Sequence, residues 1–215
     1  MLLLPSIASA DPLKIGEALE ALGDWPYVHI DIEDGHFVPN ITFGLKTLCA
    51  IAQKCPDRML DVHLMTDDPC SYLEALARAG IAAVSAQIEA LRYPMVFIHS
   101  AKNLGMKARL ALNIGTDIRA AQPFLPIADG LLLMTAEPDA RGEKLYAPAL
   151  ERAVDVCLRF ADTKVYVDGA LDDDALTRLK EAGCAGAVLG RRVFAQGNPF
   201  SNLKQLQNRL ATTQD

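Results

Sequence analysis

His29, Asp31 and Glu33 alternate with Val28, Ile30 and Ile32 in one short segment of the 215-residue chain. In an extended strand this alternation puts the three ionisable side chains on one face and the three aliphatic ones on the other. Such a face inside a closed core is costly unless its groups are paired or hold a metal, whereas on an edge strand it would simply meet solvent. A second apolar segment, Leu60-Asp61-Val62-His63-Leu64-Met65, carries His63 near its end, where a lone histidine also reads as a hydrogen-bonded core residue. A third, Val165-Tyr166-Val167-Asp168-Gly169, ends on a carboxylate before glycine. That pattern also suits a helix cap or a turn. Taken together, His29, Asp31, His63 and Asp168 offer two imidazoles and two carboxylates, a ligand set for one divalent ion such as Zn²⁺, Mn²⁺, Fe²⁺ or Co²⁺. Of the other histidines, His36 falls in the following loop and His99 in a predicted helix with no obvious partner.

Such residues converge only if the elements carrying them end at one place. Strands are predicted at Leu2–Ala8, Tyr27–Ile32, Met59–Met65, Ala82–Ile88, Ala108–Asn113, Gly130–Thr135, Lys164–Asp168 and Gly186–Gly190. Helical patterns lie between and after them, at Pro12–Leu22, Gly44–Lys54, Pro69–Ala79, Tyr93–Leu104, Ile118–Leu125, Pro148–Phe160, Asp173–Glu181 and Ser201–Leu210. Near-continuously apolar strands, each followed by a helix, imply parallel strands covered by helices. Eight units at roughly 25-residue spacing suit a closed (β/α)₈ TIM barrel better than an open doubly wound sheet. No linker or low-complexity stretch divides the chain, so residues 1–215 are expected to form a single domain. In this fold the active site lies at the carboxyl ends of the strands, where His29, Asp31, His63 and Asp168 all fall.

Composition narrows the function classes. The apolar fraction of 51% excludes a disordered chain, and no apolar run approaches the ~18 residues of a membrane span. The opening Met1-Leu2-Leu3-Leu4-Pro5 lacks a basic leader and is read as a buried strand rather than a secretory signal. A net charge of −6 with both signs interspersed argues against a nucleic-acid or anionic-membrane surface. Cys49, Cys55, Cys70, Cys157 and Cys184 are scattered without CxxC spacing, as expected of reduced thiols in a cytoplasmic protein.

The segments Pro5–Asp11, HIDIEDGHFVPNITFG (His29–Gly44), LDVHLM (Leu60–Met65) and VDGA (Val167–Ala170) resemble the ribulose-phosphate 3-epimerase family. They occur in that family's order and spacing, from about Pro5 to Phe194. The resemblance implies a TIM barrel with a divalent metal that inverts the carbon beside a ketose carbonyl. It implies His29, Asp31, His63 and Asp168 as ligands, Asp31 and Asp168 as the two acid/base groups, and Ser6 as a substrate contact. His63, Met65 and Met134 would contribute to the substrate pocket, although plain core packing explains the methionines equally well. A phosphorylated ketose is the expected partner, in a homo-oligomer. Barrels of this kind often grip phosphate after strands seven and eight, here at Gly169-Ala170 and Gly190-Arg191-Arg192. Arginine suits phosphate, yet Arg191 and Arg192 also read as solvated side chains at a helix start.

Four departures from the family pattern bear on the substrate. Glu33 stands where the family has methionine, and Gln87-Ile88-Glu89 replaces a His-x-Glu. Pro138-Asp139-Ala140-Arg141-Gly142-Glu143 replaces a glycine-rich loop and keeps Gly142, and Ala170 replaces the second glycine of VDGG. A non-catalytic phosphosugar-binding sensor is the competing reading from another class. Decarboxylases on related barrels use an Asp-x-Lys-x-x-Asp motif, and Asp61-Val62-His63-Leu64-Met65-Thr66 has no lysine.

Overall fold

Eight parallel strands alternate with helices in the computed structural model, which describes residues 1–138 and 144–212. They are β1 (Leu2–Pro5), β2 (Tyr27–Glu33), β3 (Met59–Met65), β4 (Ala83–Gln87), β5 (Lys107–Leu112), β6 (Gly130–Met134), β7 (Val165–Asp168) and β8 (Gly186–Leu189). The sheet runs β1-β8-β7-β6-β5-β4-β3-β2, and a parallel bridge between Ser6 and His29 joins its outermost strands into a barrel. The fold is therefore the expected (β/α)₈ barrel.

The helices are α1 (Ile15–Ala21), α2 (Leu45–Lys54), α3 (Leu73–Arg78), α4 (Pro94–Asn103), α5 (Ala147–Arg159), α6 (Asp173–Glu181), α7 (Arg191–Phe194) and α8 (Pro199–Thr212). Their apolar faces cover the outward side of the strands, so that Val28, Ile30, Leu48, Phe97, Leu176 and Leu203 share one core. α6 shows how sequence sets an element: the Asp172 side chain accepts from the Ala175 amide at 2.8 Å, and Asp173 and Asp174 fill the first turn. Capping of this kind is worth about 1 kcal/mol, and the acidic turn complements the helix dipole.

Two sequence expectations need correction. The helix predicted at Ile118–Leu125 is instead two 3₁₀ turns, Ile118–Ala120 and Gln122–Phe124. Asp117 caps the first by accepting from the Arg119 amide at 2.8 Å, and Pro123 has no N–H to continue an α-helical ladder. β1 stops at Pro5, after which Ile7–Ser9 turns as a 3₁₀ helix and leaves Ser6 at the rim. The helix start read at Arg191-Arg192 is the single turn α7, and the helix predicted at Ser201–Leu210 is the longer, separate α8.

The barrel interior is layered. Leu4, Ala111, Leu132 and Val188 form an inner apolar cluster, flanked by Tyr27 and Tyr166. The Arg109 guanidinium lies 4.2 Å from the centroid of the Tyr166 ring, near the amino ends of the strands. Two glycines make this possible: a Cβ on Gly186 would come within 2.6 Å of that ring, and one on Gly130 within 3.3 Å of the Arg109 side chain. At the carboxyl ends the inward residues turn polar, and a cavity opens.

Candidate active site

Strand register assembles the site. β2 and β3 pair with His29 beside Asp61, Asp31 beside His63 and Glu33 beside Met65, so the alternating residues of two strands form adjacent columns. β7 brings Asp168 from the far side, three strands away from β2 by the short route through β1 and β8. One donor atom from each of His29, Asp31, His63 and Asp168 lies within 4.8 Å of all the others. His29 Nε2 is 3.1 Å from Asp31 Oδ1 and 4.0 Å from Asp168 Oδ2. His63 Nδ1 is 3.4 Å and 3.8 Å from the same two oxygens.

These residues fit a divalent ion. Donors about 2.1 Å from a common ion stand roughly 3 to 4.2 Å from one another, which covers all four separations. His63 Nδ1 is moreover a buried nitrogen with no hydrogen-bond partner, although it faces two carboxylates. Without an ion, protons must balance the charge. Burial alone would lower the His29 pKa, but Asp31 and Asp61 outweigh it and raise it well above the ordinary value. His63 is likewise raised against its own burial, by Asp168 and Asp31. Burial would raise the Asp31 carboxyl, but the two imidazoles hold it below the usual range. A divalent cation would compete with imidazole protons for this cluster.

The surrounding contacts fix these side chains. Ser6 Oγ donates to Asp31 Oδ2 at 2.5 Å, which leaves Oδ1 toward the imidazoles. Thr42 Oγ1 donates to the Asp31 carbonyl at 2.6 Å, and Asp34 accepts from the amides of His36, Phe37 and Asp67. The DGHFVPN segment is in this sense a folded brace for the end of β2, with Gly35 at a φ of 75° to allow its turn. On the opposite side, Thr135 Oγ1 shares its one hydrogen between the carbonyls of Asp168 and Gly169, at 3.0 and 2.7 Å. Arg152 from α5 donates to the carbonyls of Asn113, Thr116 and Met134 and so ties together the ends of β5 and β6.

Over the cluster sits an open cavity of about 720 Å³. Ser6, Met65, Met134, Gly169, Ala170, Gly190 and Arg191, all expected at a substrate site, line it together with Asp31 and Asp168. His29 and His63 are fully buried beneath. Gly142 lies outside the described residues. Arg192 also lines the cavity and donates to Asp173, which pairs with Arg209 as well. Glu33 is 7% exposed, faces the cavity and accepts from Asn40 Nδ2 at 2.5 Å. Burial and the neighbouring Asp31 charge push its carboxyl up to about 7. Gln87 is wholly buried rather than at the cavity wall.

Sequence reasoning passed over Asp61, Arg109 and Arg152. Asp61 alternates with His63 and could have been found by that spacing, whereas both arginines sit among ordinary apolar patterns that mark nothing.

A (β/α)₈ barrel with a cluster of imidazoles and carboxylates at the carboxyl ends of its strands has the architecture of a barrel enzyme. The sequence model of the ribulose-phosphate 3 epimerase family matches residues 2–194. Ribulose-phosphate 3-epimerase of Rhodobacter capsulatus is 35% identical over 199 residues, covering 90% of this chain and 86% of that one. The Bacillus subtilis enzyme of the same name is 35% identical over 211 residues, covering 94% and 96%. The chain belongs to the ribulose-phosphate 3-epimerase family, and with it to the isomerases that epimerise carbohydrates. Among solved structures, 3-hexulose-6-phosphate synthase aligns with a TM-score of 0.71 at 17% identity, covering 97% of this chain and 99% of that one. Orotidine 5'-phosphate decarboxylase from Pyrococcus horikoshii aligns at 0.69 and 13%, covering 98% and 99%. At those identities the likeness is one of fold. No helix among the described residues is long and apolar enough to cross a membrane.

Proposed function

We propose that the protein is a divalent-metal-dependent 3-epimerase of a phosphorylated ketose, ribulose 5-phosphate and xylulose 5-phosphate or a related pentulose or hexulose phosphate. The observation that carries this reading is that Asp31 and Asp168 enter one four-donor cluster from β2 and β7, strands three apart around the barrel. Inversion at a carbon beside a carbonyl needs one base on each face of the planar ene-diolate, and two carboxylates arriving from separate strands support that reading. Zn²⁺, Mn²⁺, Fe²⁺ or Co²⁺ held by His29, Asp31, His63 and Asp168 would supply electrophilic stabilisation of the negative charge developing on the substrate oxygens. Asp31 takes the C3 proton of one isomer and Asp168 returns a proton from the other face, with the roles reversed in the opposite direction. The Ser6 hydroxyl orients Asp31 Oδ2, the oxygen turned away from the imidazoles, and so fixes which oxygen handles the proton.

The phosphate would be held by backbone. Gly169 and Ala170 after β7 and Gly190 after β8 line the cavity, with Arg191 beside them, and their amides would be the phosphate donors. Met65 and Met134 would form an apolar floor. The test is elemental analysis together with proton–deuterium exchange at C3 across a panel of ketose phosphates. About one divalent ion per chain and exchange with at least one substrate are expected. If ketose phosphates bind without exchange in metal-loaded protein, the reading fails and the chain is a sensor.

A further inference from the structure

Behind the cluster, away from the cavity, lies a group of charged residues for which proton transfer gives no direct use. Asp61 is 6% exposed and Arg109 is 4% exposed, both inside the barrel. Asp61 Oδ2 faces His29 Nδ1 at 3.0 Å, and Asp61 Oδ1 accepts from Arg109 Nη2. The Arg109 guanidinium in turn lies 4.2 Å from the centroid of the Tyr166 ring, with Gly130 leaving room for Arg109 and Gly186 for the ring.

We infer that Asp61, held by Arg109, is a positioning residue that fixes His29 so that its Nε2 faces the other three donors. The inference rests on the metal-dependent reading above. A carboxylate only accepts hydrogen bonds, so Nδ1 of His29 must carry the hydrogen in that contact. In the neutral ring the free lone pair is then on Nε2, the atom 3.1 Å from Asp31 Oδ1. Each oxygen of Asp61 has one named partner, and so the carboxylate has little freedom to rotate. A buried ion pair adds little to stability compared with well-packed apolar residues, so fold stability alone gives no reason for one here. A partner that orients a ligating imidazole does give a reason, because such contacts commonly change metal affinity by about 10- to 100-fold.

The experiment compares wild-type apoprotein, stripped by chelation, with Asp61→Asn and with Asp61→Asn/Arg109→Met. Each is titrated with Zn²⁺ against a chromophoric chelator and with Co²⁺ followed by its visible absorption, and thermal unfolding of each apoprotein is recorded. Asparagine keeps the shape of Asp61 but can turn its amide toward His29. It also leaves Arg109 without its anion, which the double variant removes. We expect Zn²⁺ affinity about 10- to 100-fold weaker in both variants, an altered Co²⁺ spectrum, and recovery of thermal stability in the double variant without recovery of affinity. If Asp61→Asn fails to fold, the double variant carries the same comparison with wild type. Unchanged affinity, or affinity that returns together with stability, would show that Asp61 merely balances Arg109 and would overturn the inference. Wild-type protein that binds neither ion would instead bring down the metal-dependent reading itself.

Discussion

The two sides of the cavity are built on different principles. On the β2–β3 side the functional groups are side chains held by other side chains: His29 by Asp61, Asp31 by Ser6 and Glu33 by Asn40. On the β7–β8 side the chain itself makes the wall. Gly169 has a φ of 122°, and a Cβ there would come within 2.4 Å of the Ala136 nitrogen. A Cβ on Gly190 would come within 2.1 Å of Ser9 Oγ. One side can discriminate and move protons through chemistry that a substitution alters. The other is glycine-rich backbone at close approach, which on the proposed reading would offer donors set by local conformation. Chemistry and sugar choice are then expected to follow the first side, and phosphate affinity the second.

Asp168 is the exception on the backbone side, and the largest expected effect tests whether the two carboxylates are equivalent. Asp31→Asn and Asp168→Asn each remove one base while keeping size and an oxygen. Each should lower epimerisation by about two to four orders of magnitude, the range for an essential acid/base group. A variant that keeps its metal should still exchange the C3 proton of one isomer with deuterated water without inverting it, and the two variants should favour opposite isomers. Supplying each isomer separately and following exchange against inversion measures this. Wild-type rates in both variants would remove the two-base mechanism.

A smaller effect is expected at Glu33, which belongs to the side-chain half. Its carboxyl group lines the cavity, at a position where the resemblance implies methionine, so it is expected to choose among sugars rather than to turn them over. Glu33→Met should raise kcat/KM for ribulose 5-phosphate relative to other ketose phosphates by about tenfold, the scale of one altered pocket contact. Loss of turnover on every ketose phosphate would instead make Glu33 part of the chemistry.

This difference between the two sides also governs what could be read in advance. His29, Asp31 and Glu33 were legible because alternation at a period of two is how a strand faces inward, and a closed barrel gives that face no solvent. The same reasoning located His63 and Asp168 at strand ends. It did not reach Arg109, which packs against Gly130 of β6 and against a Tyr166 ring for which Gly186 of β8 leaves room, a property of the assembled barrel. Nor did it see that Pro123 would turn the fifth crossover into 3₁₀ turns, because the apolar spacing of Ile118–Leu125 is compatible with either. The wall proposed to hold phosphate was marked by Gly169, Gly190 and two arginines that also read as solvated, and glycine signals conformational freedom without stating which conformation is used.

The smallest expected effect, at Ala170, bears most directly on the backbone side. Ala170 has a φ of 53°, the one non-glycine residue with positive φ among the described residues, at a position where the family pattern has glycine. An L-residue there costs about 1 to 2 kcal/mol relative to the right-handed region, and glycine escapes that cost. Glycine also gives the unfolded chain more freedom, which offsets about 0.4 to 1 kcal/mol of the gain. Ala170→Gly should therefore be neutral to stabilising, with a rise in Tm between zero and about 6 °C for a chain of this size. If this side binds by backbone alone, either residue presents the same amide in the same direction. KM for the phosphorylated substrate should then stay within about twofold, because no contact worth even half a kcal/mol is gained or lost. Differential scanning calorimetry and steady-state kinetics on the same preparation give both numbers. A KM change beyond tenfold at unchanged Tm would mean that the Ala170 methyl touches the substrate, so that the β7–β8 side discriminates by side chain as well.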